Sequence, residues 1–107
     1  MRKNKNLSPT CPIRTTLEML GGKWRLLIIN EISADSLRYG ELKRAIPEIS
    51  EKMLTQELKT LVDNGLIARH NYGEVPPRVD YSLTENGKKA LKLIKPIRDF
   101  GLQYIKQ

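Results

Sequence analysis

Reactive side chains are scarce in this sequence, and the search for chemistry starts with Cys11 and His70, its single cysteine and single histidine. Nucleophilic catalysis would need the thiol beside a general base and an orienting group. Cys11 stands at the start of a first helical segment and His70 in an extended run near a hairpin, so the two fall on separate elements. One cysteine closes no intrachain disulfide, and one Cys with one His falls short of a structural zinc site. Gly21-Gly22 lacks the rest of any phosphate-cradling fingerprint and reads as a helix break. The carboxylates are scattered singly. No enzyme, metal site or cofactor is expected.

The pattern that does carry chemistry is Lys52, Thr55, Gln56 and Lys59, spaced i, i+3, i+4 and i+7, opposite Leu54, Leu58, Leu61 and Val62. Gln can bond adenine through two hydrogen bonds, Thr can meet a thymine methyl, and Lys can reach guanine or phosphate. The same stripe suits the wet side of any amphipathic helix, and periodicity alone does not separate the two readings. Cys11 offers a second chemistry. As the cap of a helix with Arg14 nearby it would favour the thiolate, which makes it a candidate redox or electrophile sensor. The other reading is a small hydrophobe buried at a subunit seam.

These residues need elements to hold them. The chain has 107 residues, 39% hydrophobic and 29% charged, which suits one domain, expected over 11–107 after a flexible basic N-terminus at 1–10. No apolar run approaches a bilayer span and the first residues lead into no signal-type segment, so no membrane association and a cytoplasmic location are expected. The net charge of +7 points to polyanions, yet residues 1–14 carry +4, residues 84–107 another +4, and residues 15–83 sum to −1. A nucleic-acid role for the centre must therefore come from the faces of its helices.

Pro12 suits the first position of a helix capped by Cys11, a start preferred here to the capping box of Thr15 to Glu18. A second helix spans 23–32, with Trp24, Leu27, Ile28 and Ile32 as its apolar stripe and Trp24 as a core anchor. A short strand at 37–39 and a helix at 40–46 precede Pro47. The most periodic helix, 50–64, is capped by Ser50 and stopped by Gly65. Runs at 66–72 and 78–83 form a hairpin, with Val79, Tyr81 and Leu83 alternating against Arg78, Asp80 and Ser82 as a half-buried strand. Thr84 caps a final helix that Pro96 should interrupt and kink. Leu91, Ile94, Ile97, Gly101 and Tyr104 or Ile105 share one side of it and want a partner surface. The expected fold is mainly α with a small β-hairpin: a winged helix-turn-helix whose helix at 50–64 enters the major groove while the hairpin meets the flanking backbone or minor groove.

Cys11-Pro12, Gly21-Gly22-Lys23-Trp24, the run Arg38-Tyr39-Gly40-Glu41-Leu42, Ile49-Ser50-Glu51-Lys52-Met53-Leu54-Thr55, Gly65-Leu66-Ile67 and the stretch from Glu74 to Thr84 carry a resemblance. Together they resemble the HxlR family of bacterial transcriptional regulators, over nearly the whole chain. The resemblance implies a homodimeric, DNA-binding winged helix that joins its subunits through the first and last helices. Two-fold symmetry doubles the contacts that one recognition helix can make, so the expected operator is an inverted repeat in double-stranded DNA. The resemblance also implies that Arg38 and the N-terminal half of 50–59 face DNA, and that Arg78 lies on the wing. Together with Ser50 and the exposed stripe of Lys52, Thr55, Gln56 and Lys59, these are the expected DNA-binding residues. In some members a cysteine in the place of Cys11 is the sensing thiol. Two departures are mild: Tyr39 where many relatives carry Phe, and Tyr104 where they often place Trp. A winged-helix module that binds protein instead of DNA is the rival reading. General nucleic-acid packaging ranks last, since only six aromatic residues are present and Trp24 is expected to be internal.

Overall fold

A computed structural model describes residues 11–106; the basic segment 1–10 lies outside the described residues. Helix α1 (Pro12–Leu20) starts where the Cys11 side chain accepts a hydrogen bond from the Arg14 amide, with Pro12 at the first position. The earlier of the two candidate starts is thus the one used, and Thr15 and Glu18 lie inside the helix. Helix α2 (Arg25–Ile32) buries Ile28, Ile29 and Ile32. Leu27, expected on its inward stripe, is exposed instead. The sequence of α2 is apolar on nearly every side, so periodicity could not choose the face that packing selects. Trp24 caps α2 and packs half-buried against the core, with the Lys23 ammonium 4.7 Å from its ring centre.

Strand β1 (Ser36–Arg38) leads into α3 (Tyr39–Ala45), and Ser50 begins α4 (Glu51–Asp63) by accepting from the Met53 amide at 3.1 Å. Gly65 takes a φ of +73° directly after the α4 cap, a left-handed conformation that glycine adopts with little strain. Strands β2 (Ile67–Asn71) and β3 (Val79–Leu83) form the hairpin, and β1 adds to the other edge of β3, so the antiparallel order is β1-β3-β2. The hairpin is therefore part of a three-stranded sheet whose third member lies far upstream in sequence. Helix α5 (Glu85–Ile105) continues through Pro96 as one element, so the expected interruption does not occur. Proline removes a single backbone donor, and the bonds on either side carry the helix past it.

Leu54, Leu58 and Leu61 of α4 meet Ile28, Ile29, Ile32, Leu42, Ile49 and Ile67 in one apolar core, each of them almost fully buried. Only the first half of α5 joins it, through Ala90 with Leu91 and Ile94 packed alongside. Beyond that point Ile97, Phe100, Leu102, Tyr104 and Ile105 are exposed, as are Ile13 and Leu17 of α1. Among the described residues no helix is long and apolar enough to cross a membrane.

Candidate nucleic-acid interface

Burial of the leucine side of α4 leaves Lys52, Thr55, Gln56 and Lys59 on its exposed side. The side chains of Lys52, Gln56 and Lys59 stand free of the core on a helix that its leucines hold firmly. Thr55 is placed differently, because its hydroxyl donates to the Tyr39 hydroxyl at 3.4 Å, and Tyr39 donates in turn to the Glu51 carbonyl at 3.1 Å. The hydroxyl that distinguishes Tyr39 from phenylalanine thus ties the start of α3 to the first turns of α4. Ser50 likewise spends its acceptor on capping α4.

Arg38 sits at the junction of β1 and α3, where its amide donates to the Glu41 carboxylate at 2.9 Å and its side chain projects to solvent. Arg78 lies at the entry of β3 with its guanidinium carbon 4.6 Å from the Tyr72 ring centre. Asp80 stands between the two arginines: its Oδ1 is 3.7 Å from Arg38 Nε and its Oδ2 is 3.5 Å from Arg78 Nη2. The alternation in β3 put Asp80 on the wet side, yet it is only 3% exposed. Neighbouring residues of a strand point to opposite faces, so Asp80 does turn away from the Tyr81 side. That face is covered by the side chains of Arg38 and Arg78, and Arg38 is the register partner of Asp80 on the neighbouring strand β1. Ser36, Glu41 and Arg44 complete the wall of this polar hollow, which is lined by three arginines and two carboxylates, of which Asp80 is buried. Such an arrangement holds cationic side chains in place at the end of the sheet beside α3. Sequence reasoning missed Asp80, although the acid belongs to the motif stretch from Glu74 to Thr84 that carried the resemblance.

His70 faces Ser82 across the hairpin, its Nε2 3.1 Å from the hydroxyl, with Asp80 as its register partner. It is a strand residue, placed on a different element from Cys11. Cys11 is half-buried rather than open, and its close partner is the Arg14 backbone amide at 3.5 Å. Among the described residues no cluster of His, Cys, Asp and Glu is arranged to hold a metal ion.

Comparison with known proteins agrees with this architecture. The family model for HxlR-like helix-turn-helix proteins matches residues 19–107. A protein of Fusobacterium mortiferum named as regulatory protein MalR is 43% identical over 94% of this chain and 92% of its own length. A solved structure from Porphyromonas gingivalis W83, described as a transcriptional regulator of the MarR family, is 53% identical, with a TM-score of 0.83 over 94% of this chain and 97% of that one. The redox regulator HypR in its oxidized form is 34% identical, with a TM-score of 0.81 over 87% of this chain and 96% of that one. The chain belongs to the HxlR-like helix-turn-helix family and is a winged helix-turn-helix transcriptional regulator of the DNA-binding type, not an enzyme.

Proposed function

We propose that residues 11–107 act as one domain in a cytoplasmic homodimer that binds an inverted-repeat operator in double-stranded DNA. Helix α4 enters the major groove, the β2–β3 hairpin serves as the wing, and α1 with the outer half of α5 joins the subunits. The carrying observation is the exposed stripe of Lys52, Gln56 and Lys59 on a helix whose opposite side is fixed by buried leucines. Base readout needs polar side chains on a rigid element, and this helix provides both. Arg38 and Arg78, held by Asp80, flank the stripe as phosphate or minor-groove contacts. The exposed apolar residues of α1 and α5 favour a second copy, since Ile13 is 74%, Phe100 73% and Ile105 78% exposed in the single chain.

The likeness to a redox regulator also supports Cys11 as a sensing thiol. In a dimer joined through α1, oxidation would couple the Cys11 thiols of the two subunits as a disulfide, each losing its proton and the pair giving two electrons to the oxidant. A shift in the seam would then change the spacing of the recognition helices.

Selection from a random duplex library with the purified chain tests the central reading. Enrichment of an inverted repeat, bound by a species that sediments as a dimer, is the expected result. Enrichment of no sequence, with affinity insensitive to salt, would favour the protein-binding alternative. Diamide treatment before operator titration, with Cys11→Ser as control, tests the thiol. Sensing requires that wild-type binding change and the control stay constant.

A further inference from the structure

The guanidinium of Arg25, the first residue of α2, reaches two other helices at once. Its Nε donates to Glu57 Oε2 on α4 at 2.7 Å, and its Nη1 donates to the Glu18 carbonyl at 2.6 Å and the Met19 carbonyl at 3.4 Å, at the end of α1. The side chains of Arg25 and Glu57 are only 21% and 18% exposed, so this is a shielded, charge-assisted link and not a loose surface pair. Carbonyls in the last turn of a helix lack an intrahelical donor and lie at the negative end of its dipole. Helix α1 has no basic residue in its own last turn, and Arg25 supplies the cation from the following helix. Apolar packing holds α1 lightly, since Leu20 is its one buried residue. On α4, Glu57 directly follows Gln56 and lies on the flank between the buried leucines and the exposed stripe.

We propose that Arg25 is a positioning residue for DNA recognition, tying α1 to α4 through one guanidinium so that the orientation of the recognition stripe follows that of α1. The proposal rests on α4 being the recognition helix. Arg25 and Glu57 act through that helix and make no contact with DNA. The planar fork of arginine presents donors in a fixed geometry toward the carboxylate and the carbonyls together. Lysine would bring a single point charge that can satisfy one side or the other. In a dimer joined through α1, the same link sets both recognition helices relative to the seam.

The test uses the full chain with Arg25→Lys, Arg25→Gln, Glu57→Gln and the double variant Arg25→Gln/Glu57→Gln. Each is titrated at one salt concentration against the selected operator and against a mixed-sequence duplex, and its Tm is recorded. Each single variant is expected to lose about tenfold on the operator and less than about twofold on the mixed duplex, with the double variant no worse than the weaker single one. Arg25→Lys keeps the positive charge and Glu57→Gln keeps size and shape, so the comparison survives if Arg25→Gln folds poorly. Equal losses on both duplexes, additive losses in the double variant, or wild-type affinity in all single variants would overturn the proposal. If Gln56→Ala and Lys52→Ala also leave operator binding intact, the reading of α4 has failed. If those two lose affinity and the Arg25 variants do not, only the role of Arg25 has failed.

Discussion

Arg38 and Asp80 are register partners across the β1–β3 ladder, with Arg38 Nε 3.7 Å from Asp80 Oδ1. Asp80 is buried and its other oxygen meets Arg78, so one carboxylate serves a residue at the start of α3 and another where the hairpin loop enters β3. Both arginines are substantially exposed, which screens the charges and limits what the pairs add to stability. Their larger effect is to limit where two flexible cationic side chains can point.

Asp80→Asn should therefore lower stability by about 1 to 2 kcal/mol, the cost of weakening a buried carboxylate whose partners are half in water. DNA affinity should fall further than stability explains. Urea denaturation beside duplex titration checks the two effects separately; an intact affinity in a destabilised variant would remove the positioning role of Asp80.

Gln56→Ala and Lys52→Ala should each weaken operator binding by about 1 to 3 kcal/mol, with Gln56 also relaxing the preference for one base per half-site. Both side chains are exposed, so folding should be untouched. Binding selections repeated on the Gln56 variant report the lost preference directly.

Arg78→Ala should act differently, reducing affinity for every duplex alike and flattening the slope of log K against log salt by roughly one unit. Titrations across a salt series measure this, and a change confined to the operator would place Arg78 on a base instead of the backbone.

Tyr39→Phe would keep the ring while breaking two hydrogen bonds, to the Glu51 carbonyl and from Thr55. Because these bonds lie near solvent, the expected loss is about 0.5 to 1 kcal/mol. The freed Thr55 hydroxyl should shift base preference next to the position read by Gln56, which selection on the variant would reveal.

Gly87→Ala should be the most damaging substitution for the fold. A Cβ at this buried position would collide with the Leu66 carbonyl, which also accepts from the Thr84 amide at 3.1 Å. Backbone cannot give way as a side chain can, so α5 must lift from the sheet. Overpacking of this kind costs about 1 to 3 kcal/mol, and a Tm equal to wild type would show that the helix start is free to move.

Local signals settled much of this protein from the sequence. The leucine period of α4, Ser50 and Thr84 as caps, Pro12 after Cys11 and Gly65 after α4 each act within a turn or two of chain, where spacing and steric preference decide the outcome. The exposed stripe of Lys52, Thr55, Gln56 and Lys59 was legible for the same reason. What needed the tertiary structure joins residues distant in sequence. Packing alone chose the inward face of α2, because Leu26, Leu27, Ile28 and Ile29 offer apolar surface all around the helix. The burial of Asp80 depends on β1 crossing to the far edge of β3, and the tie from Arg25 to Glu57 depends on α1, α2 and α4 converging at one point. Periodicity reports which way a side chain points along its own element; which charged neighbour waits there is fixed only when the elements close around the core.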